Sequence, residues 1–108
     1  MATEVRTEDA AWRALADATR RRLLDLLRAR AHTTGQLAEA LPHLSRYAVM
    51  KHLKGLTEAG LVTVVRRGRE RWNHLNAVPI QRIHQRWLQP FAAPRADALL
   101  RLGEVAET

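Results

Sequence analysis

The sequence predicts a small, mainly α-helical domain carrying one β-hairpin, and three observations predict it. Apolar residues recur at helical spacing through the first sixty positions, divided into four segments by capping residues and a proline. At Leu61 the pattern becomes strand-like: Leu61-Val62-Thr63-Val64-Val65 is answered, after a glycine turn, by Arg71-Trp72-Asn73-His74-Leu75. The chain has 108 residues, the length of one domain, with no internal repeat, low-complexity tract or dividing linker. A chain of this size buries somewhat over ~60% of its unfolded surface. Its terminal helices are therefore expected to cover their apolar stripes with a second subunit.

Each element has a local cause. Thr7 is expected to cap a first helix through Leu15, with Glu8 and Asp9 in the first turn, where the helix dipole favours carboxylates. Asp17 caps a second helix, with Leu23, Leu24 and Leu27 inward and Arg20, Arg21 and Arg22 facing water. Thr33 and Gln36 stand at capping-box spacing and open a third, apolar at Leu37, Ala38 and Leu41 and ended by Pro42. Ser45 caps a fourth, which runs to about Ala59 and stops at Gly60, a suitable C′ glycine. Arg67-Gly68-Arg69-Glu70 turns the hairpin. Pro79 suits the first position of a further helix, in which Ile80, Ile83, Trp87 and Phe91 recur at spacings of 3, 4 and 4. Pro90 should kink or break that helix, and Pro94 starts a last one through Leu99, Leu100 and Leu102.

Composition narrows the class. No run approaches the ~20 apolar residues of a membrane span, and the first twelve residues lack the apolar core of an export signal. Without cysteine there is no disulfide framework and no thiolate chemistry, which fits a cytoplasmic protein. Lys and Arg number 18 against 11 Asp and Glu, a net charge of +7. Residues 42–76 hold 7 of the basic and 2 of the acidic residues, leaving 11 and 9 for the rest. A surplus concentrated in a third of the chain is the footprint of a polyanion-binding surface, although solubility alone would also use it.

The fourth helix sits inside that surplus. At ~100° per residue, Ala48, Val49, His52, Leu53, Leu56 and Ala59 fall on one side, and Arg46, Tyr47, Met50, Lys51, Lys54 and Thr57 on the other, with Gly55 at the seam. A short helix that is apolar behind and basic-aromatic in front suits a DNA major groove. Arginine can read guanine bidentately, lysines can neutralise phosphates, and the helix N-terminus attracts them. An ordinary solvated face remains the plain alternative. Arg66, Arg67, Arg69 and Arg71 cluster around the hairpin tip directly afterwards. A basic hairpin in that position is the wing of a winged helix-turn-helix, reaching flanking phosphates or the minor groove. By itself it could also be a charged edge that deters strand pairing.

Taken together, ALADATRRRLLDLL, TTGQLAEAL and SRYAVMKHLKGLTEAGLVTVVRRGRERWNHLN resemble the ArsR/SmtB family of bacterial winged-helix repressors over residues 12–90. The resemblance implies a homodimer on a palindromic operator. It also implies a helix-turn-helix at about 34–59, a wing at about 61–76, and dimerisation by about 7–16 and 79–104, all within one domain, 1–108. On it, Ser45, Arg46, Tyr47, Met50 and Lys51 are the candidate groove readers. Lys54, Arg66, Arg67, Arg69 and Arg71 are the candidate phosphate contacts on double-stranded DNA. Members often carry S-Q-P/S-A-V-S-K-H-L at this helix, so Arg46, Tyr47 and Met50 imply a different operator preference. The form LSRYAVMKHL is similar to the branch often encoded beside small START-like (SRPBCC) proteins.

The family's founding members sense metals, many through cysteines in the stretch matching TTGQLAEAL, and this chain has none. His32, His43, His52, His74 and His84 form no i, i+4 pair typical of a helical metal site, so no metal or other cofactor is expected. No nucleophile, phosphate loop or carboxylate pair suggests an enzyme. Trp12, Leu15, Ile80, Ile83, Trp87, Leu88 and Phe91 are the candidate dimer surface, some of which the intrachain core must claim. Gly55 either permits close approach of another helix or is indifferent. The rival from another class is a winged-helix protein-interaction module that does not bind DNA, with RNA binding as a third reading.

Overall fold

The structure, a computed structural model, describes residues 2–91 of the chain. The expected helix through Leu99, Leu100 and Leu102, and the distal part of the expected dimerisation segment, lie outside the described residues.

Side-chain caps set three helix starts, each contributing about 1 kcal/mol. Helix α2 (Ala18–Ala29) begins at Asp17, whose Oδ1 accepts the Arg20 N–H at 3.0 Å. Helix α3 (Thr34–Ala40) begins with a full capping box: Thr33 Oγ1 accepts the Gln36 N–H at 3.1 Å, and Gln36 Oε1 accepts the Thr33 N–H at 3.0 Å. Helix α4 (Arg46–Glu58) begins at Ser45, whose Oγ accepts the Ala48 N–H at 3.1 Å. It ends in a Schellman motif, with the Gly60 N–H on the Thr57 carbonyl at 3.0 Å and the Leu61 N–H on the Leu56 carbonyl at 2.9 Å. Gly60 has φ +77°, the left-handed geometry that motif requires at this position.

The first helix departs from expectation. α1 spans Ala2–Leu15, so Thr7 lies inside it and does not cap it. Residues 2–6 contain neither glycine nor proline, and nothing in them stops a helix from extending upstream.

The hairpin pairs β2 (Val62–Arg67) with β3 (Glu70–Leu75), in register from Val62↔Leu75 to Arg67↔Glu70. Gly68 has φ +62° at the first of the two turn residues, as a type II′ connection needs. The sequence pattern predicts two strands, but the sheet has three, in the order β1-β3-β2. Strand β1 is only His32–Thr33, too short to carry a period, and pairs His32 with Asn73 and Thr33 with Trp72.

Asn73 explains why so short a strand holds. Its side chain is buried, and its Nδ2 donates to the His32 carbonyl and to Thr34 Oγ1, each at 3.2 Å. One amide thus ties the wing to the start of α3. Asn73→Ala leaves both acceptors without that donor and should cost about 1–3 kcal/mol, read as a shift in the urea midpoint. An unchanged midpoint would show that the amide does not hold β1.

The inner face of α4 is the centre of the core. Val49 and Leu56 are fully buried and Leu53 nearly so, against Leu23, Leu27, Leu37, Leu41 and Leu61. α4 packs on α1, α2, α3 and β2, so the helix is held on every side but its outer one. His52, on the inner half of the wheel, is half-buried, with Nδ1 3.9 Å from Asp17 Oδ1.

The C-terminal helix starts as α5 (Val78–Ile83), with the buried Pro79 in its first turn. It widens into a π-helical turn at His84–Leu88 before residues 89–91 return to α-helix. Gln89 N–H bonds the His84 carbonyl, five residues back. The distortion sits just before Pro90, which has no N–H for the Arg86 carbonyl and crowds it. The expected stripe divides between core and surface. Ile83 is 8% exposed and belongs to the core, and Leu15 is half-buried against it, whereas Trp87, Leu88 and Phe91 are exposed.

Candidate nucleic-acid interface

Burial of Val49, Leu53 and Leu56 fixes the rotation of α4, and that rotation puts Arg46, Tyr47, Met50, Lys51 and Lys54 in solvent. Tyr47 is 74% exposed, far more than an aromatic ring with a packing role would be. α3 precedes α4 by a five-residue turn in which the Leu44 N–H bonds the Leu41 carbonyl at 3.0 Å. The two helices are a helix-turn-helix whose second member presents a basic-aromatic face.

A groove of 740 Å³ runs along that face. Tyr47, Met50, Lys51 and Lys54 of α4 and Arg71 of β3 share its lining, so the base of the wing and the recognition face form one surface. Ser45 and Arg46 stand at the N-terminal end of the same helix. Arg66 stands directly across the hairpin from Arg71, and Arg67 and Arg69 stand nearer its tip, all exposed. Ser45 Oγ is engaged as the cap, which leaves its O–H as a donor.

The electrostatics are one-sided. Arg66 and Arg71 are direct cross-strand partners, an arrangement that repels unless an anion lies between or over them. Among the described residues, Arg46, Lys51 and the four wing arginines make no ion pair. Lys54 meets Glu58 at 3.9 Å, an exposed i, i+4 contact contributing about 0.3–0.5 kcal/mol. Such a surface has spare charge for a polyanion.

Arg20, Thr34 and Asn73 also line the groove, and sequence reasoning did not place them there. The helical wheel sends Arg20 to water, yet it is half-buried, with its guanidinium lying over Gly55. The glycine at the helix seam was its signal. Asn73, mid-strand where asparagine is rare, was the signal for the wing base.

A second exposed surface lies on the terminal helices. Trp12 (50% exposed), Trp87, Leu88 and Phe91 stand there, with Ile80 at its margin. Glu8 of α1 accepts the Trp87 Nε1–H at 3.0 Å and the Arg86 guanidinium at 2.9 Å, and Arg86 stacks over the Trp87 ring at 5.4 Å. The Trp87 hydrogen bond, with the Arg86 bond and charge behind it, holds the Glu8 carboxyl below its ordinary value against some desolvation. The clamp is therefore at full strength at neutral pH. It is lost only as pH falls through that depressed value, below the usual carboxylate range. Asp17 is also held low, first by the Arg20 N–H at the α2 cap, and loses its charge in the same direction.

Among the described residues, no group of three or more His, Asp or Glu side chains stands close enough to share a metal ion, and no helix is long and apolar enough to cross a membrane.

Residues 15–65 match a family model described as a helix-turn-helix domain. The uncharacterized HTH-type transcriptional regulator YuzN of Bacillus subtilis is 37% identical over 90 residues, covering 76% of this chain and 96% of that protein. The HTH-type transcriptional regulator Rv2034 of Mycobacterium tuberculosis is 49% identical over 57 residues, 53% of this chain and 52% of that one. An ArsR-like transcriptional regulator from Rhodococcus sp. RHA1 superposes with a TM-score of 0.72 at 29% identity, covering 99% of this chain and 96% of that one. With the helix-turn-helix, the basic wing and these relatives in agreement, the chain belongs to the ArsR/SmtB family of winged helix-turn-helix, DNA-binding transcriptional regulators.

Proposed function

We propose that the protein is a cytoplasmic repressor that binds a palindromic operator as a homodimer. Ser45, Arg46, Tyr47, Met50 and Lys51 enter the major groove, while Lys54, Arg66, Arg67, Arg69 and Arg71 hold phosphates. The observation that carries this reading is the groove along α4, which joins the recognition face to the wing in one cation-rich surface. Trp12, Trp87, Leu88 and Phe91, with Ile80 at the edge, meet their two-fold counterparts. Such a dimer spaces its recognition helices by roughly one DNA turn, ~34 Å.

Titration of a palindromic promoter fragment tests the reading. Binding should weaken steeply with salt, and matched RNA should not bind. A protein-interaction module would bind neither. Within the surface, Arg46→Ala should cost about 1–3 kcal/mol on the operator and relax preference at one base pair. Arg69→Ala should weaken binding equally across sequences and reduce the salt slope by about 1. Equal operator binding by Arg46→Ala and wild type would remove Arg46 from the readers.

A further inference from the structure

We infer that Arg20, reaching from α2 across the bare backbone of Gly55, is a phosphate contact of the DNA surface and sets how deeply α4 sits in the groove. A Cβ built on Gly55 would stand 2.8 Å from Arg20 Nη2 and 2.9 Å from Cζ. No other residue at position 55 leaves the guanidinium where it is. Gly55 thus opens a gap on the flank of the recognition helix, and a cation from a different helix fills it.

Three facts say that the cation is poised for an anion. First, Arg20 lines the same groove as Lys51, Lys54 and Arg71, so the gap faces the surface assigned to DNA. Second, its Nε is buried without a hydrogen-bond partner, an unusual state for an arginine. Third, among the described residues no carboxylate comes within ion-pair range of its guanidinium. Asp17 feels its field, but it spends its hydrogen bonds on the α2 cap. Glu58, which shares the groove lining, is met by Lys54 at 3.9 Å.

A half-buried cation beside other cations, without a counter-charge, is disfavoured in the free protein. A phosphate oxygen at the flank of α4 supplies both the charge and the missing acceptors. Because α2 is part of the rigid core, such a contact fixes α4 against the backbone more firmly than a flexible surface lysine does.

The inference rests on α4 facing DNA, and one set of titrations tests the two separately. Wild type, Arg20→Met, Arg20→Lys and Gly55→Ala are titrated with a mixed-sequence duplex between about 50 and 200 mM salt. Wild type should show a steep salt slope, and its absence would overturn both readings. Arg20→Met keeps an apolar stem in place of the arginine's and should give a slope shallower by about 0.9. Arg20→Lys should keep the wild-type slope. Gly55→Ala favours the helix yet displaces the guanidinium, so it should show the Met variant's slope. If Arg20 only packs against α4, Arg20→Met keeps the full slope, and that result overturns the inference while leaving DNA binding intact. Should Arg20→Met fail to fold by its melting curve, the slope of Gly55→Ala decides in the same sense.

Discussion

Trp87→Glu should give a folded monomer whose operator affinity is lower than wild type by about 10²–10⁴-fold. Trp87 is 53% exposed and lies outside the core, so its loss leaves the winged-helix fold in place. In the proposed dimer the ring is covered, together with Trp12, Leu88 and Phe91. Tryptophan and phenylalanine each remove about 150–250 Å² from water when fully covered. The variant carboxylate would stand beside Glu8, which has lost its indole N–H partner. Arg86 still pairs Glu8, so each protomer would have to bury one carboxylate beyond that pair, and dissociation is the lower-energy outcome.

The affinity loss follows from linkage and not from any DNA contact. In the dimer, engagement of one half-site makes the second engagement intramolecular, and the monomer forfeits that effective concentration. Wild type and variant should therefore differ on the full palindrome and agree on a duplex carrying one half-site. Sedimentation equilibrium gives the mass directly. A Trp87→Glu protein that keeps twice the chain mass would take this surface out of the interface.

The sequence carried the exposed basic-aromatic face of α4 because that face is built from local signals. Ser45, the apolar stripe Val49-Leu53-Leu56 and Gly60 fix the start, rotation and end of α4 using contacts within a few residues. Once those are known, the direction of Arg46, Tyr47, Met50 and Lys51 is determined. The features that escaped depend on distance along the chain. β1 exists because Asn73 reaches His32 and Thr34 from about forty residues away, and a two-residue strand has no period to detect. Arg20 shares a run with Arg21 and Arg22, and only the tertiary position of Gly55 draws it aside. The stripe Ile80-Ile83-Trp87-Phe91 looks continuous in sequence, yet only Ile83 joins the core, because which members of a stripe are covered depends on the helices packed against it and not on spacing.

Leu56→Ala should lower stability by about 2–5 kcal/mol, and saturating operator should recover much of that loss. Leu56 is fully buried on the inner face of α4, where α2, α3 and β2 converge, so the surroundings have little room to collapse into the cavity. For a domain of this size each kcal/mol moves the melting temperature by about 4–8 °C, which makes the shift large. None of the proposed DNA contacts is removed, and Asp17, Ser45 and Gly60 still fix the ends of α2 and α4. The folded fraction should therefore keep its operator affinity. Operator at a hundred times its Kd should then return about 2.7 kcal/mol by mass action. Melting curves with and without operator read both quantities at once. The same duplex should rescue Leu56→Ala and fail to rescue a Leu56→Ala, Trp87→Glu double variant at equal concentration, because the second lacks the coupled half-site. If operator leaves the melting temperature of Leu56→Ala unchanged, the inner face of α4 does more than support the helix, and its packing must itself set the geometry that DNA requires.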